Sequence, residues 1–198
     1  QELYDQIPLV KKVISAFAIP MFEVERFEAD DILATIAKQL ANRKDLEIFI
    51  ATGDFDMFQM VGPNTSILYP TKSFREAEIF RADDVEKKYG INPSQIPDYK
   101  GIAGDNSDNL PGVKGIGEKG AKDLLHKYGT LENIYNHLHE LSPVVRKKLE
   151  DSKENAFLSQ RLATLNAETP LAFDLQPCHV KSFDVQSVGN LFRELGFK

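Results

Sequence analysis

The chain has 198 residues, 42% of them hydrophobic and 27% charged, with a formal net charge of −6. That suits one soluble domain, or one plus an appended subdomain, with an ordinary core. No apolar run approaches the ~18 residues that span a membrane, and no export signal is evident. The only cysteine, Cys178, cannot form an intrachain disulfide, so a reducing, cytoplasmic setting is expected.

Residues 3–17 place Leu3, Ile7, Val10, Val13, Ile14 and Phe17 at helical spacing, and Pro20 ends that helix. A second amphipathic helix is expected over 29–43, with Ile32, Leu33, Ile36, Ala37 and Leu40 on one side. Glu47 to Ala51 reads as a buried strand, Ile67 to Tyr69 as another, and Ala82 to Tyr89 as a short helix closed by Gly90. This succession implies an α/β fold with a parallel sheet and crossovers. From Pro93 onward strand signals fade, and helices are expected at 94–103, 118–128, 131–138, 142–164 and 184–195. Residues 166–182 contain Pro170 and Pro177 and read as an irregular connection. The division expected is an α/β part over 1–91 and a helical part over 92–198.

Three acidic clusters carry the chemistry. Glu28, Asp30 and Asp31 open the second helix, where Glu28 and Asp31 share a face. Asp54 and Asp56 directly follow the first strand, at the strand end where open α/β sheets bind ligands. Asp105 and Asp108 lie in a glycine-flanked loop. Each cluster alone has a plainer reading as a helix cap or turn. Asp83-Asp84, before another helix, is taken in that plainer way. Seven carboxylates in one pocket would repel one another without cations. Magnesium, or manganese, wants oxygen ligands, and two such ions ~4 Å apart can activate water and stabilise a leaving oxygen in phosphodiester hydrolysis. The four histidines, His126, His137, His139 and His179, are scattered and read as surface residues, which disfavours zinc.

The most specific signal is Leu110 to Ala121, with Gly112, Lys114, Gly115, Ile116, Gly117, Lys119 and Lys122. Gly115-Ile116-Gly117 makes a tight turn opening a helix, and Val113 and Ile116 anchor it. Glycines let a phosphate approach backbone amides at a helix N-terminus, and the lysines add charge. This is a helix–hairpin–helix pattern, which grips the DNA backbone without reading sequence. A dinucleotide-binding loop fits poorly, because no strand precedes the glycines.

Phe27 to Asp31, Thr52 to Gln59 and Tyr99 to Gly117, in that order and spacing, resemble the successive motifs of the 5′ nuclease (5′→3′ exonuclease) domains of bacterial DNA polymerases I, in the flap endonuclease superfamily. The resemblance implies a PIN-like core with a helical DNA-binding subdomain. It implies structure-selective hydrolysis from a 5′ end or at a 5′ flap, on DNA and primer RNA, in replication and repair. It assigns Glu28, Asp30 and Asp31 to a first metal region, and Asp54, Asp56, Asp105 and Asp108 to a second. It also implies two or more magnesium or manganese ions, potassium at the hairpin around Gly115 and Gly117, a monomer with no membrane partner, duplex DNA with a 5′ end, nick or flap as partner, and a nucleoid-associated bacterial setting. The family begins with a strand ending in aspartate, a second aspartate and a basic arch, none of which is matched here. On that account these residues are expected to bind DNA and metal and to cleave poorly or not at all. The alternatives are a non-catalytic DNA-binding module and, against the evidence of the hairpin, a PIN-type RNA nuclease.

Overall fold

The structure, a computed structural model, describes residues 2–71 and 76–197. It forms two compact units, residues 28–169 and residues 1–27 with 170–198. The smaller unit contains α1 (Glu2–Ala16) and a C-terminal helix, Val185–Glu194. Phe17 joins them, with ring centroids 4.8 Å from Phe183 and 5.9 Å from Phe192. Of the apolar face expected on α1, Leu3, Ile7 and Val10 are exposed, while Val13, Ile14 and Phe17 are half-buried.

The larger unit begins with α2 (Ala29–Leu40), β1 (Ile48–Ala51), a 3-10 turn over Asp56–Met60, β2 (Thr65–Pro70), β3 (Ala77–Phe80) and α3 (Ala82–Tyr89). The sheet order is β1-β2-β3. β1 pairs parallel with β2, Ile50 opposite Ile67, but β2 pairs antiparallel with β3, Ile67 opposite Phe80. The wholly parallel sheet expected from the sequence is therefore corrected to a mixed one. The reason is length: the link from Pro70 to Ala77 is far shorter than the dozen or so residues of a parallel crossover. β3 had no anticipating pattern, since Ala77-Glu78-Ile79-Phe80 buries only Phe80 fully.

The remaining helices are α4 (Ile96–Ala103), α5 (Glu118–Tyr128), α6 (Leu131–Asn136), α7 (Pro143–Asp151) and α8 (Lys153–Ala163), which makes the C-terminal helix of the smaller unit α9. The single helix expected over 142–164 is broken at Ser152, which is buried with φ −114° and ψ 12°. The helix expected to reach residue 43 stops at Leu40. α3 ends as its sequence implies, with Gly90 at φ +71°.

One core runs through the larger unit without a seam at residue 91. Phe58 sits in a ring of Phe55, Tyr69, Phe80 and Tyr89, and that cluster continues through Ile91, Ile96 and Ile102 to Leu125, Leu131 and Leu149. α8 lies close on α4 because Gly101 has no side chain; a Cβ there would be 3.0 Å from the Ala156 carbonyl oxygen. Among the described residues no helix is long and apolar enough to cross a membrane.

Candidate metal centre and nucleic-acid interface

The first acidic cluster sits at the start of α2. Asp31 accepts the Glu28 amide through Oδ2 at 3.4 Å and the Asn166 amide through Oδ1 at 2.9 Å. The plainer capping role is therefore real for Asp31, and it also anchors the chain leaving α8. Gln59 holds the same stretch, donating to the Ala163 carbonyl at 2.8 Å. Asp30 is half-buried. Burial, and then the charges of Asp54, Glu28 and Asp31, raise its carboxyl above the ordinary range. Those four acids thus form one electrostatic neighbourhood.

Asp54 and Asp56 follow β1 as a tight turn. The Asp54 amide donates to Thr52 Oγ1 at 3.0 Å, and Asp54 Oδ1 accepts the Asp56 amide at 2.8 Å. Asp105 is shaped similarly, its Oδ1 accepting the Ser107 amide at 2.8 Å. Among the acids stands a residue that pattern reading passed over, Lys100 on α4. Its ammonium lies 2.5 Å from Asp56 Oδ1, 2.8 Å from Asp105 Oδ2 and 2.9 Å from Asp108 Oδ2, with its side chain 4% exposed. The clue was a lysine between Tyr99 and Gly101-Ile102-Ala103 on a largely buried helix, five residues before Asp105; a charge at a buried position needs partners.

Burial by itself would lower the Lys100 pKa. The close contacts with Asp105, Asp56 and Asp108 more than reverse that and hold the ammonium above its usual range. Asp105 is also opposed by burial, yet the bonds from Lys100 and Ser107 pull it down to about 2. Asp56 differs: its burial outweighs the same ammonium, so its carboxyl is raised. Asp56 Oδ1 is buried and makes no well-formed hydrogen bond, only the ion pair. One ammonium against three carboxylates leaves two negative charges in excess.

The structure thus brings Asp56, Asp105 and Asp108 together around Lys100 and sets Glu28, Asp30 and Asp31 at the start of α2, with the charge of Asp54 acting on both Asp30 and Asp56. Among the described residues no three Asp, Glu, His or Cys side chains converge as a finished metal site. In the second cluster the acids close on the ammonium. Asp84 does cap α3, accepting the Arg81 amide at 3.0 Å, and Asp83 stands exposed in its first turn. His126, His139 and His179 are exposed, and His137 is half-buried against Tyr128.

The hairpin lies beyond the Asp105 loop. Lys114, Gly115, Gly117 and Lys119 are exposed, whereas Gly112 and Ile116 are buried. Lys122 is half-buried, 4.0 Å from Glu118 and 5.8 Å from the Tyr99 ring centre. Lys114 and Lys119 have no acidic partner among the described residues. A cleft of about 540 Å³ is lined by residues of both features, Lys100 and Asp105 from the acidic side and Gly117 and Glu118 from the hairpin. Tyr99 also lines it, its hydroxyl pushed up to about 12, by burial first and then by Glu118 and Asp105.

Clustered carboxylates beside a glycine-rich turn that opens a helix suit metal-assisted chemistry on a phosphate backbone. Residues 1–90 match the 5′-3′ exonuclease N-terminal resolvase-like domain, and residues 91–186 match the 5′-3′ exonuclease C-terminal SAM fold. The chain belongs to the 5′-3′ exonuclease family. It is similar to DNA polymerase I of Caldicellulosiruptor bescii, 40% identical over 195 residues that cover 98% of this chain and 23% of that protein. It is also similar to DNA polymerase I of Bacillus subtilis, 35% identical over 197 residues covering 99% and 22%. The chain spans less than a quarter of the length of these relatives. Among solved structures it resembles a bacteriophage T5 flap endonuclease in a pseudo-enzyme–product complex with DNA and metal ions. That match has a TM-score of 0.68 and 25% identity over 83% of this chain and 57% of the other. The catalytic core of Rad2 with DNA substrate shares the fold, at a TM-score of 0.65 and 21% identity over 96% and 64%.

Proposed function

We propose that the chain provides metal-binding carboxylates and a duplex grip for a structure-selective 5′ nuclease acting on DNA with a 5′ end, nick or flap, and on primer RNA paired to DNA. The observation that carries this reading is the cleft running from Asp105 to Gly117. It lets one strand lie across the acids while its duplex rests on the hairpin. The residues suit a hard divalent ion, magnesium or manganese: the donors are carboxylate oxygens, and the second cluster keeps excess negative charge around the single ammonium of Lys100. Glu28, Asp30 and Asp31 would hold ions in one region, and Asp54, Asp56, Asp105 and Asp108 in the other. When bound, the ions supply an activated water and neutralise the leaving oxygen. The chain's own part is to orient these acids through Thr52, Ser107 and Lys100 and to hold the backbone with the hairpin. Asp31 also shapes the Glu28 turn, each of its oxygens accepting a backbone amide. The setting is the bacterial cytoplasm, at the nucleoid.

A 5′-flap duplex with manganese tests this. Cleavage that is lost in Asp54→Ala, together with calorimetric ion uptake lost in Asp105→Ala plus Asp108→Ala, supports the reading. A second reading, DNA binding without catalysis, is favoured by the ammonium at the centre of the second cluster. Tight duplex binding with no cleavage, indifferent to manganese and to Asp54→Ala, would establish that alternative.

The hairpin lysines give a separate prediction. Lys114→Ala and Lys119→Ala should weaken duplex binding equally for every sequence, each lowering the slope of log affinity against log salt by about one. An altered sequence preference in competition assays would refute a backbone grip.

A further inference from the structure

The hairpin backbone is held from behind by three polar side chains, four and seven residues apart, on α7 and α8 and at their break: Lys148, Ser152 and Ser159. The Gly112 amide donates to Ser159 Oγ at 3.1 Å, and the Lys114 amide to Ser152 Oγ at 3.3 Å. Lys148 Nζ donates to the Gly115 carbonyl at 2.8 Å. Two further amides turn inward on backbone: Val113 N to the Ile102 carbonyl at 2.8 Å and Ile116 N to the Val113 carbonyl at 3.0 Å. The peptide between Gly115 and Ile116 is therefore fixed at both ends, its oxygen by Lys148 and its nitrogen by Val113. The flanking amides, of Gly115 and Gly117, have no acceptor among the described residues, and both residues are exposed.

We propose that Lys148 is a positioning residue for duplex binding, fixing the Gly115–Ile116 peptide so that the Gly115 and Gly117 amides face outward, toward a phosphate. This rests on the hairpin being the duplex grip. Gly115 has φ +82°, a conformation with little steric preference of its own, so an external tether is what selects it. The lysine stem fills the space where a side chain would be; a Cβ on Gly115 would lie 3.2 Å from Lys148 Cε. The break at Ser152 is part of the same device, because Ser152 gives up regular helix geometry where its hydroxyl meets the Lys114 amide.

The test uses Lys148→Met and Lys148→Arg in the whole chain, with duplex affinity measured by anisotropy over a series of salt concentrations. A lysine that touches phosphate changes the salt slope; one that orients the hairpin changes the affinity at every salt and leaves the slope alone. Lys148→Met should bind about tenfold more weakly at unchanged slope, as expected for one hydrogen bond from a charged group, and Lys148→Arg should recover most of that loss. Without any DNA, exchange of the Ile116 amide, which donates to the Val113 carbonyl, should quicken in Lys148→Met while the α4 amides stay protected. A slope lowered by about one with hairpin exchange unchanged would make Lys148 a phosphate contact and overturn the proposal, as would unchanged affinity and exchange. If the unaltered chain binds no duplex, the grip itself fails, while the exchange arm still reports whether Lys148 orders the hairpin.

Discussion

Lys100→Met should cost about 3–5 kcal/mol of folding stability, the range seen when one partner of a buried ion pair is removed. The ammonium is 4% exposed and meets three carboxylates within 2.9 Å. Methionine fills the same volume, so the loss is electrostatic: Asp56 stays buried beside two acids with no positive charge. Urea denaturation at neutral pH measures it, and a loss under about 1 kcal/mol would show that the three pairs are worth no more than surface bridges. The pH profile gives an independent reading. Asp105 is held down to about 2 in the folded chain, below the ~3.9 of a free aspartate. Its stabilisation is thus complete above about pH 4 and is lost as pH falls from about 4 to 2. Asp56, raised by burial, has the opposite sign: protonation relieves it as pH falls. In Lys100→Met the acid-side loss from Asp105 should shrink and the relief from Asp56 should grow, so that mild acid stabilises the variant. On the proposed function, millimolar magnesium should recover part of the neutral-pH loss by supplying the missing positive charge.

The second large effect is expected at Gly112. A Cβ there would lie 2.3 Å from the Gly104 nitrogen, 2.7 Å from Gly104 Cα and 2.8 Å from the Ile102 carbonyl oxygen, all of them backbone, and φ is +56°. Gly104 is equally confined, a Cβ on it meeting the Leu110 carbonyl oxygen at 2.7 Å with φ +74°. No rotamer change relieves such contacts, so Gly112→Ala must part the two strands of the loop. A loss of about 4 kcal/mol or more is expected, at the exceptional end for single substitutions. Gly129→Ala is the control: φ is +82° and ψ −50° but nothing lies within 4 Å, so only the backbone strain, about 1–3 kcal/mol, applies. Equal thermal shifts in the two variants would mean that the close approach at Gly112 carries no weight.

Much of this was readable from residues alone. The α5 limits, the closure of α3 by Gly90 and the hairpin followed from short-range rules, because capping, glycine conformation and helical spacing act over a few residues. The seven acids were visible because their spacing is local within each cluster. The antiparallel β3 was not, since its direction is set by the length of a connection and by pairing with β2. Lys100 escaped because its partners come from two other segments, and a lysine in a helix is ordinarily solvated. Ser152 and Ser159 escaped for a similar reason: a serine in a helix gives no sign of which distant amide its hydroxyl will meet. The break between α7 and α8 came with them, a local irregularity whose cause lies 38 residues earlier in the chain, at Lys114.

The contact between Gly104 and Gly112 has a further consequence. It closes residues 104–112 into a loop too tight to stretch, pinned by reciprocal bonds between Asp105 and Leu110 of 2.9 and 2.7 Å. The acid at one end and the hairpin at the other are therefore separated by a fixed spacer. On the proposed function that spacer is a ruler. A duplex seated on the hairpin would present the same phosphate to the acids every time, whatever its sequence, and lengthening the loop by one residue should move the cut along the strand and leave affinity for the duplex nearly unchanged.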